Sequence, residues 1–332
     1  MTEKCIISQK ARDSIIKTYE KGEQSMIFIN RRGFSRTLKC EQCGYEFKCE
    51  NCDNLLSYHK NKNFLKCHYC GYKIDKIEKC DKCNSYDLKP NKGIGVEQVE
   101  KEIKTFCNAK TILFSSDEIN KENDIEMLTK EIKDGDVDII IGTQIMTKGH
   151  HFPRLTNIVV LDIDGMSLDG NFRSFERMFQ MLYQLSGRAG REKKDSTIYI
   201  QTLNPENKVL QAIKNNDIEN FYKNEIIARK KNNLPPYSRL ISITVSSQFQ
   251  DEALNTANLL LNELKKNVSK PTEIFGPTES NVFYLKKNYR YRFLLKSPKN
   301  SVVLDQLNKI KNNFKYSKKV QVKFDVDCYN FL

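Results

Sequence analysis

Two arginines stand three residues apart in QLSGRAGR (184–191), framed by Gly187 and Gly190. The glycines loosen the backbone where an apolar helical stripe ends, so Arg188 and Arg191 can reach forward from a helix terminus. Fixed guanidinium groups match the oxygens of a triphosphate and stabilise the charge that develops in phosphoryl transfer. A surface ion pair would account for either arginine alone, but not for the repeated Gly-Arg framing behind Gln184. A second cluster has different chemistry. Eight of the eleven cysteines form four CxxC pairs: Cys40/Cys43, Cys49/Cys52, Cys67/Cys70 and Cys80/Cys83. Each pair sets two thiolates close enough to share one tetrahedral ion, so together they suit two zinc sites of four thiolates each. Gly44 and Gly71 directly follow second cysteines, where a zinc knuckle turns tightly. All-thiolate coordination leaves no open position, so such ions hold a fold and do not catalyse. Eight thiolates satisfy both ions, which leaves His59 and His68 as non-ligands. Spacing alone does not settle the pairing. A nested arrangement, Cys40, Cys43, Cys80 and Cys83 outside and Cys49, Cys52, Cys67 and Cys70 inside, is preferred over a sequential one.

These groups need a scaffold. SMIFIN (25–30), TILFS (111–115), DIIIGT (138–143), NIVVLDID (157–164) and TIYIQT (197–202) are short apolar runs suited to buried strands. Helical spacing appears in VEQVEKEIKTF (96–106), through Val96, Val99, Ile103 and Phe106, and in FERMFQMLYQL (175–185), through Phe175, Met178, Phe179, Leu182 and Leu185. Strands alternating with helices imply an α/β fold with a mostly parallel sheet covered on both faces. Ligands of such sheets gather at the carboxyl ends of the strands. Thr143, Gln144, Lys148, Gly149 and His150 follow DIIIGT at that edge, where backbone N–H groups and Lys148 can meet phosphates. Asp162 and Asp164 end the next strand at the same edge and read as a solvated strand terminus. The cysteine block (40–88) interrupts the pattern between the first strand and the following helix, as an insertion. It holds too little apolar residue for a core, so metal binding should supply much of its folding energy. Its Tyr45, Phe47, Tyr58, Phe64 and Tyr69, with Lys48, Lys60 and Lys62, either meet bases or a protein partner or pack over the knuckles.

Beyond Thr202 a charged helical stretch leads to NNLPPYSRL (232–240), whose proline pair breaks the helix. The expected organisation is an α/β lobe (1–39 and 89–205), the cysteine insertion (40–88), a helical linker (206–235) and a small α+β domain (236–332). In that last domain, period two places Tyr289, Tyr291 and Phe293 on one strand face and Arg290 and Arg292 on the other. With Lys286 and Lys287 nearby, this suits single-stranded or forked nucleic acid, or else puts the tyrosines in a core and the arginines in water. The balance of 55 Lys+Arg against 42 Asp+Glu, a net +13, favours a polyanionic partner, although a Lys- and Asn-rich composition supplies part of it. No apolar run reaches the ~18–20 residues of a membrane span, and MTEKCIISQK lacks a signal-peptide core, so a cytoplasmic protein is expected. In that reducing compartment structural disulfides are rare. Cys5, Cys107 and Cys328, outside the pairs, read as small core residues.

QLSGRAGR resembles motif VI of superfamily 2 helicases, and GTQIMTKGHHFP (142–153) resembles motif V. With NRRGFS (30–35), the eight cysteines, NFRSFERMFQMLYQ (171–184) and NNLPPYSR (232–239), the order is similar to that of the PriA family of replication-restart helicases. The resemblance implies the second, RecA-like motor lobe, a two-zinc insertion and a DNA-binding C-terminal domain. It makes Arg191 the arginine finger, Arg188 a second phosphate-facing arginine and Gln184 their polar partner. It gives Thr143, Gln144, Lys148, Gly149 and His150 the coupling of nucleotide to the DNA strand. The full machine would bind stalled or branched forks and translocate 3′ to 5′ on ATP and Mg²⁺. It would work at the nucleoid beside primosome proteins, single-stranded DNA-binding protein and the loader of the replicative helicase. Neither GxxxxGK[ST] nor a DExH box is found in the sequence, and GIGVEQ (93–98) lacks the Lys-Ser/Thr of a phosphate loop. The chain alone is therefore expected to be catalytically silent unless another polypeptide brings a first lobe. The rival reading is a non-enzymatic module that binds fork DNA or a primosome partner. A remnant without function is a third, and the intact cysteine spacing and GRAGR run argue against it.

Overall fold

The computed structural model describes residues 5–30, 37–59, 64–67, 70–75, 77–90, 96–114, 122–142, 152–168, 171–187 and 196–329. The chain divides into two compact units, Met1–Ser35 with Lys92–Phe221 and Arg36–Asn91 with Tyr222–Leu332. It opens with α1 (Gln9–Glu20) and β1 (Gln24–Ile29). Five short strands then run through the cysteine block: β2 (Leu38–Cys40), β3 (Ser57–His59), β4 (Phe64–Lys66), β5 (Lys73–Asp75) and β6 (Leu88–Pro90). Next come α2 (Val96–Phe106), β7 (Thr111–Phe114), α3 (Glu122–Asp134), β8 (Ile139–Gly142) and β9 (Leu155–Leu161). They are followed by α4 (Ser174–Ser186), β10 (Thr197–Ile200), α5 (Lys208–Lys214) and α6 (Ile218–Lys231). The C-terminal elements are β11 (Ser238–Ser247), α7 (Gln250–Asn267), β12 (Glu273–Leu285), β13 (Asn288–Pro298), α8 (Val303–Asn313) and β14 (Val320–Val326).

In the first unit five parallel strands lie in the order β10-β9-β1-β8-β7. Every residue of β1, β8 and β9 is buried. Unbroken apolar runs of this kind are what a strand covered on both faces requires. Period two sorts their side chains into two cores. On one face Ile27, Ile29, Ile139, Ile141, Val159 and Leu161 meet Ala11 and Ile15 of α1 and Val99 and Ile103 of α2. On the other, Met26, Phe28, Ile140, Ile158 and Val160 meet Met178, Phe179, Leu182 and Leu185 of α4. This is the doubly covered sheet expected of a RecA-like lobe. Part of the stretch read as a linker packs here as well. Val209 and Leu210 of α5 enter the same core, and Phe221 of α6 stacks on Phe179 with ring centroids 4.1 Å apart. Cys107 and Cys328 are buried as expected, whereas Cys5 is exposed. It lies ahead of α1, whose first buried residue is Ala11.

In the C-terminal domain four antiparallel strands lie in the order β12-β13-β11-β14. Ile241, Ile243 and Val245 of β11 and Tyr291, Phe293 and Leu295 of β13 share a core with Ala253, Ala257, Leu260 and Leu264 of α7 and Leu307 and Ile310 of α8. The intervening Ser242, Thr244 and Ser246, and Arg290 and Arg292, take the opposite face, as strand periodicity dictates. The cysteine strands fall between β1 and α2 in the chain, yet they pack with this domain, and Leu285 of β12 lies against their core.

Gly276 of β12 adopts φ +107°, and a Cβ there would stand 2.6 Å from the Arg292 carbonyl oxygen. Both its backbone conformation and its closeness to β13 demand glycine. Gly276→Ala should destabilise the C-terminal unit by about 1–3 kcal/mol. The urea midpoint of that unit should fall while the transition of the parallel-sheet unit stays in place.

Candidate metal centres and the hairpin beside them

The eight paired cysteines gather into two groups, Cys40, Cys43, Cys80 and Cys83, and Cys49, Cys52, Cys67 and Cys70, with the sulfurs of each group within 4.8 Å of one another. Pairing of β2 with β6 sets Cys40 opposite Leu88 and closes the first group, while β3, β4 and β5 form a small sheet beside the second. Sγ–Sγ distances are 3.6 Å for Cys40–Cys83, 3.6 Å for Cys43–Cys80 and 3.5 Å for Cys49–Cys70. A disulfide needs about 2.05 Å. Four sulfurs at about 2.3 Å from one tetrahedral zinc lie about 3.8 Å apart, so the donor set and its spacing fit a shared ion.

Local backbone geometry makes the groups. Gly44, Gly71 and Asn84 follow second cysteines with φ of +73°, +80° and +56°. Their N–H groups each donate to the carbonyl of the first cysteine of the pair, at 2.9 Å. Asn84 was not singled out in the sequence, although asparagine is the non-glycine residue that tolerates this conformation best. Further N–H groups point at sulfur: Asn51 to Cys49 at 3.4 Å, Tyr72 to Cys70 at 3.5 Å and Lys82 to Cys80 at 3.4 Å. Hydrogen bonding, first from the Cys43 backbone, lowers the Cys40 thiol to about 7. In the inner group burial pushes the Cys49 and Cys52 thiols up, a cost that a cation bound among the sulfurs would offset.

Contrary to the expectation from composition, the block has a small core. Leu38, Phe47, Leu56 and Leu65 are buried with Cys49, Cys52 and Cys67. The cysteines themselves serve as apolar filling, which a count of Leu, Ile and Phe misses. The aromatic side chains serve this core: Phe47 is buried, Tyr45 meets it edge-on at 5.2 Å, and Tyr58 packs against the cluster. Phe64 lies under the Lys73 ammonium at 4.5 Å. Lys60, Lys62, His68 and Tyr69 lie outside the described residues.

The basic strand of the C-terminal domain resolves the same way. Tyr291 and Phe293 are buried in the core, and Tyr289 packs on Phe283 and Tyr284 with centroids 5.5 and 4.8 Å away. The tyrosines are therefore packing residues, and the cations are what this strand presents. Arg290 and Arg292 are half-buried on the opposite face, and Arg292 Nη2 donates to Asn281 Oδ1 at 2.9 Å. Burial lowers both guanidinium pKa values, and the Arg292 charge lowers that of Arg290 further. An anion beside them would relieve both effects. Lys286 and Lys287 are exposed at the two-residue turn between β12 and β13.

Gln184 is exposed near the end of α4, where the Gly187 N–H donates to the Tyr183 carbonyl at 3.1 Å. Thr143, Gln144, Lys148, Gly149, His150, Arg188 and Arg191 lie outside the described residues. Asp164 is not the solvated strand end expected of it. Its carboxylate accepts the Thr202 hydroxyl at 2.5 Å and the Leu203 N–H at 2.8 Å, tying the exit of β9 to that of β10. Asp162, with φ +55°, is half-buried, and its carboxyl pKa is raised by burial and then by Asp164.

Residues 230–329 match the family described as the primosomal protein N C-terminal domain, and residues 49–74 match the PriA DNA helicase Cys-rich region. Replication restart protein PriA of Borreliella burgdorferi is 38% identical over 96% of the chain and 48% of the relative. That of Bacillus subtilis is 34% identical over 98% of the chain and 41% of the relative. The chain thus spans about half or less of the length of these relatives. Among solved structures, S. cerevisiae Dbp5 bound to RNA and ADP BeF3 superposes weakly, with a TM-score of 0.32 and 11% identity over 68% of this chain and 43% of that one. Matched along nearly its whole length, the chain belongs to the PriA family and corresponds to the C-terminal portion of its members.

Proposed function

We propose that this chain is the portion of a replication-restart helicase that grips branched DNA and completes an ATP site it does not form alone. The observation that carries this reading is the likeness to PriA proteins, which runs in one order through the parallel-sheet lobe, the cysteine groups and the C-terminal domain. In this reading Arg188 and Arg191, with Gln184, face the nucleotide phosphates. Thr143, Gln144, Lys148, Gly149 and His150 relay its state to the DNA strand. ATP and Mg²⁺ are held mainly by a first lobe, and unwinding runs 3′ to 5′. Each cysteine group holds one structural zinc in the nested pairing, a reading supported by the sulfur spacing. Primosome proteins, single-stranded DNA-binding protein and the helicase loader are the partners, met at the nucleoid. Among the described residues no helix is long and apolar enough to cross a membrane. A non-enzymatic fork-binding module is the second reading, favoured by the lack of a GxxxxGK[ST] run in the sequence.

ATP hydrolysis with forked DNA, by the chain alone and mixed with a polypeptide bearing a phosphate-loop lobe, separates the two. Turnover is expected only in the mixture, and Arg191→Ala should cut it by at least ~10³-fold, the scale of an arginine finger. Turnover by the chain alone would sink the split-site reading. Fork binding without turnover in the mixture would favour the module. Elemental analysis of the purified chain should find two zinc ions. Replacing both turn lysines (Lys286→Ala with Lys287→Ala) should lower fork affinity and flatten the log–log salt dependence by about one to two units. Zinc content should not change, because the substitution leaves the turn's backbone N–H groups in place. An unaltered salt slope would remove the hairpin from the DNA contact.

A further inference from the structure

Three of the four CxxC knuckles are closed by a left-handed Gly or Asn after the second cysteine, but the fourth is not. Cys52 is followed by Asp53, which does not adopt a positive φ. An equally odd choice sits in the C-terminal domain. The β12–β13 turn pairs Leu285 with Asn288 across Lys286 and Lys287, whose φ values are +51° and +62°. Two-residue turns of this kind call for Asn-Gly or Asp-Gly, and two lysines adopt the conformation only against their steric preference.

The two exceptions meet. The Asp53 N–H donates to the Tyr284 carbonyl at 2.7 Å, and the Tyr284 N–H donates to the Asp53 carboxylate at 2.6 Å. The Lys287 N–H donates to the Asn51 carbonyl at 2.9 Å. The Lys286 N–H donates to Cys52 Sγ at 3.4 Å, across 234 residues of sequence. Leu285 packs against the core of the cysteine block. We propose that Asp53 and the Lys286 backbone N–H are positioning groups that lock the basic β12–β13 turn to the inner cysteine group, so that metal binding there and presentation of the turn lysines are one event. This rests on reading the cysteines as a metal centre and the hairpin as a DNA contact.

The physical case is reciprocal. Four thiolates around one divalent ion carry net negative charge, which N–H donors to sulfur offset, and such outer contacts orient the ligands and tune their affinity. The Lys286 N–H supplies Cys52 with a donor from outside its own knuckle. In return the knuckle holds a turn whose own sequence favours another conformation. Asp53 satisfies Tyr284 from both sides, with its N–H and its carboxylate, and so fixes the register of the contact.

The test uses the zinc-loaded chain with Asp53→Ala and Asp53→Asn, the latter retaining an acceptor oxygen. Two quantities are read: metal release to a chelator, and hydrogen exchange at the Tyr284 and Lys287 amides. Asp53→Ala should release one of the two ions ~10-fold faster or more, the scale of lost outer contacts to a metal site. The other ion should leave at the parent rate, both amides should exchange faster, and Asp53→Asn should restore most of the difference. In the unmodified chain, stripping the ions should speed exchange at Lys286 and Lys287 while Phe293 in the sheet core stays protected. That arm stands even if Asp53→Ala fails to fold. Parent-like release of both ions from a folded Asp53→Ala, or turn amides indifferent to metal in the unmodified chain, overturns the proposal. An unmodified chain without two ions would instead defeat the metal reading on which it rests. Turn amides that respond to metal while fork affinity does not would uphold the lock and refute the hairpin as a DNA contact.

Discussion

Gathering four sulfurs within 4.8 Å of one another in a largely buried site is the constraint on which the C-terminal unit turns. Burial raises the Cys49 and Cys52 thiols, and four thiolates repel one another, so a cation among them would stabilise the arrangement. What surrounds the sulfurs follows from that demand. The knuckles aim N–H groups inward, Gly44, Gly71 and Asn84 take backbone conformations that make this possible, and Phe47, Leu56 and Leu65 shield the result from water. Four buried apolar side chains are too few to offset the chain entropy of the whole block. The block therefore needs further support, which its seat against β12 and the turn after it supplies and which bound ions would add to.

Local patterns were readable in the sequence wherever a short-range physical rule governs them. The CxxC spacing pointed to all eight thiols, because each knuckle brings two sulfurs together within four residues, whereas which knuckles meet is decided over longer range. The buried strands β1, β8 and β9 announced themselves through the apolar runs MIFI, III and IVVL, and Tyr291 and Arg292 were assigned to opposite faces by period two alone. Contacts made by backbone groups left almost no trace. Asp53 and Tyr284 meet through N–H, carbonyl and carboxylate, and no composition or periodicity marks such a pair. The only signs are two local misfits, an aspartate where a knuckle would carry glycine and a lysine pair where a tight turn would carry Asn-Gly. Each is easily dismissed alone. Asp164 was misjudged for a related reason: its partners, Thr202 and Leu203, lie one strand away in space and nearly forty residues away in sequence.

The tyrosines of the C-terminal domain show how packing decides between two readings that the sequence leaves equal. Basic and aromatic residues in alternation suit a stacking platform and a half-buried strand alike. Tyr291 resolves the choice because β13 runs between β12 and β11 and has one face against α7, so its inward positions have no route to a ligand. The cations are left outside by the same geometry. Burial, and then the nearness of Arg292, lowers the Arg290 pKa, a cost that an anionic partner would reduce.

The cysteine block follows β1 in the chain and precedes α2, so it interrupts the sequence of the parallel-sheet unit. Its packing partner, Leu285, is supplied near the other end of the sequence. A piece cut at the limits of the matched C-terminal domain, residues 230–329, would keep the sheet and helices but lose the surface that Leu285, Lys286 and Lys287 lean on. The turn would then rest on its own lysines, in a conformation that their side chains disfavour. The basic tip of the hairpin is thus local in sequence but non-local in stability, and a change near Cys52 can reach it without altering either exposed lysine.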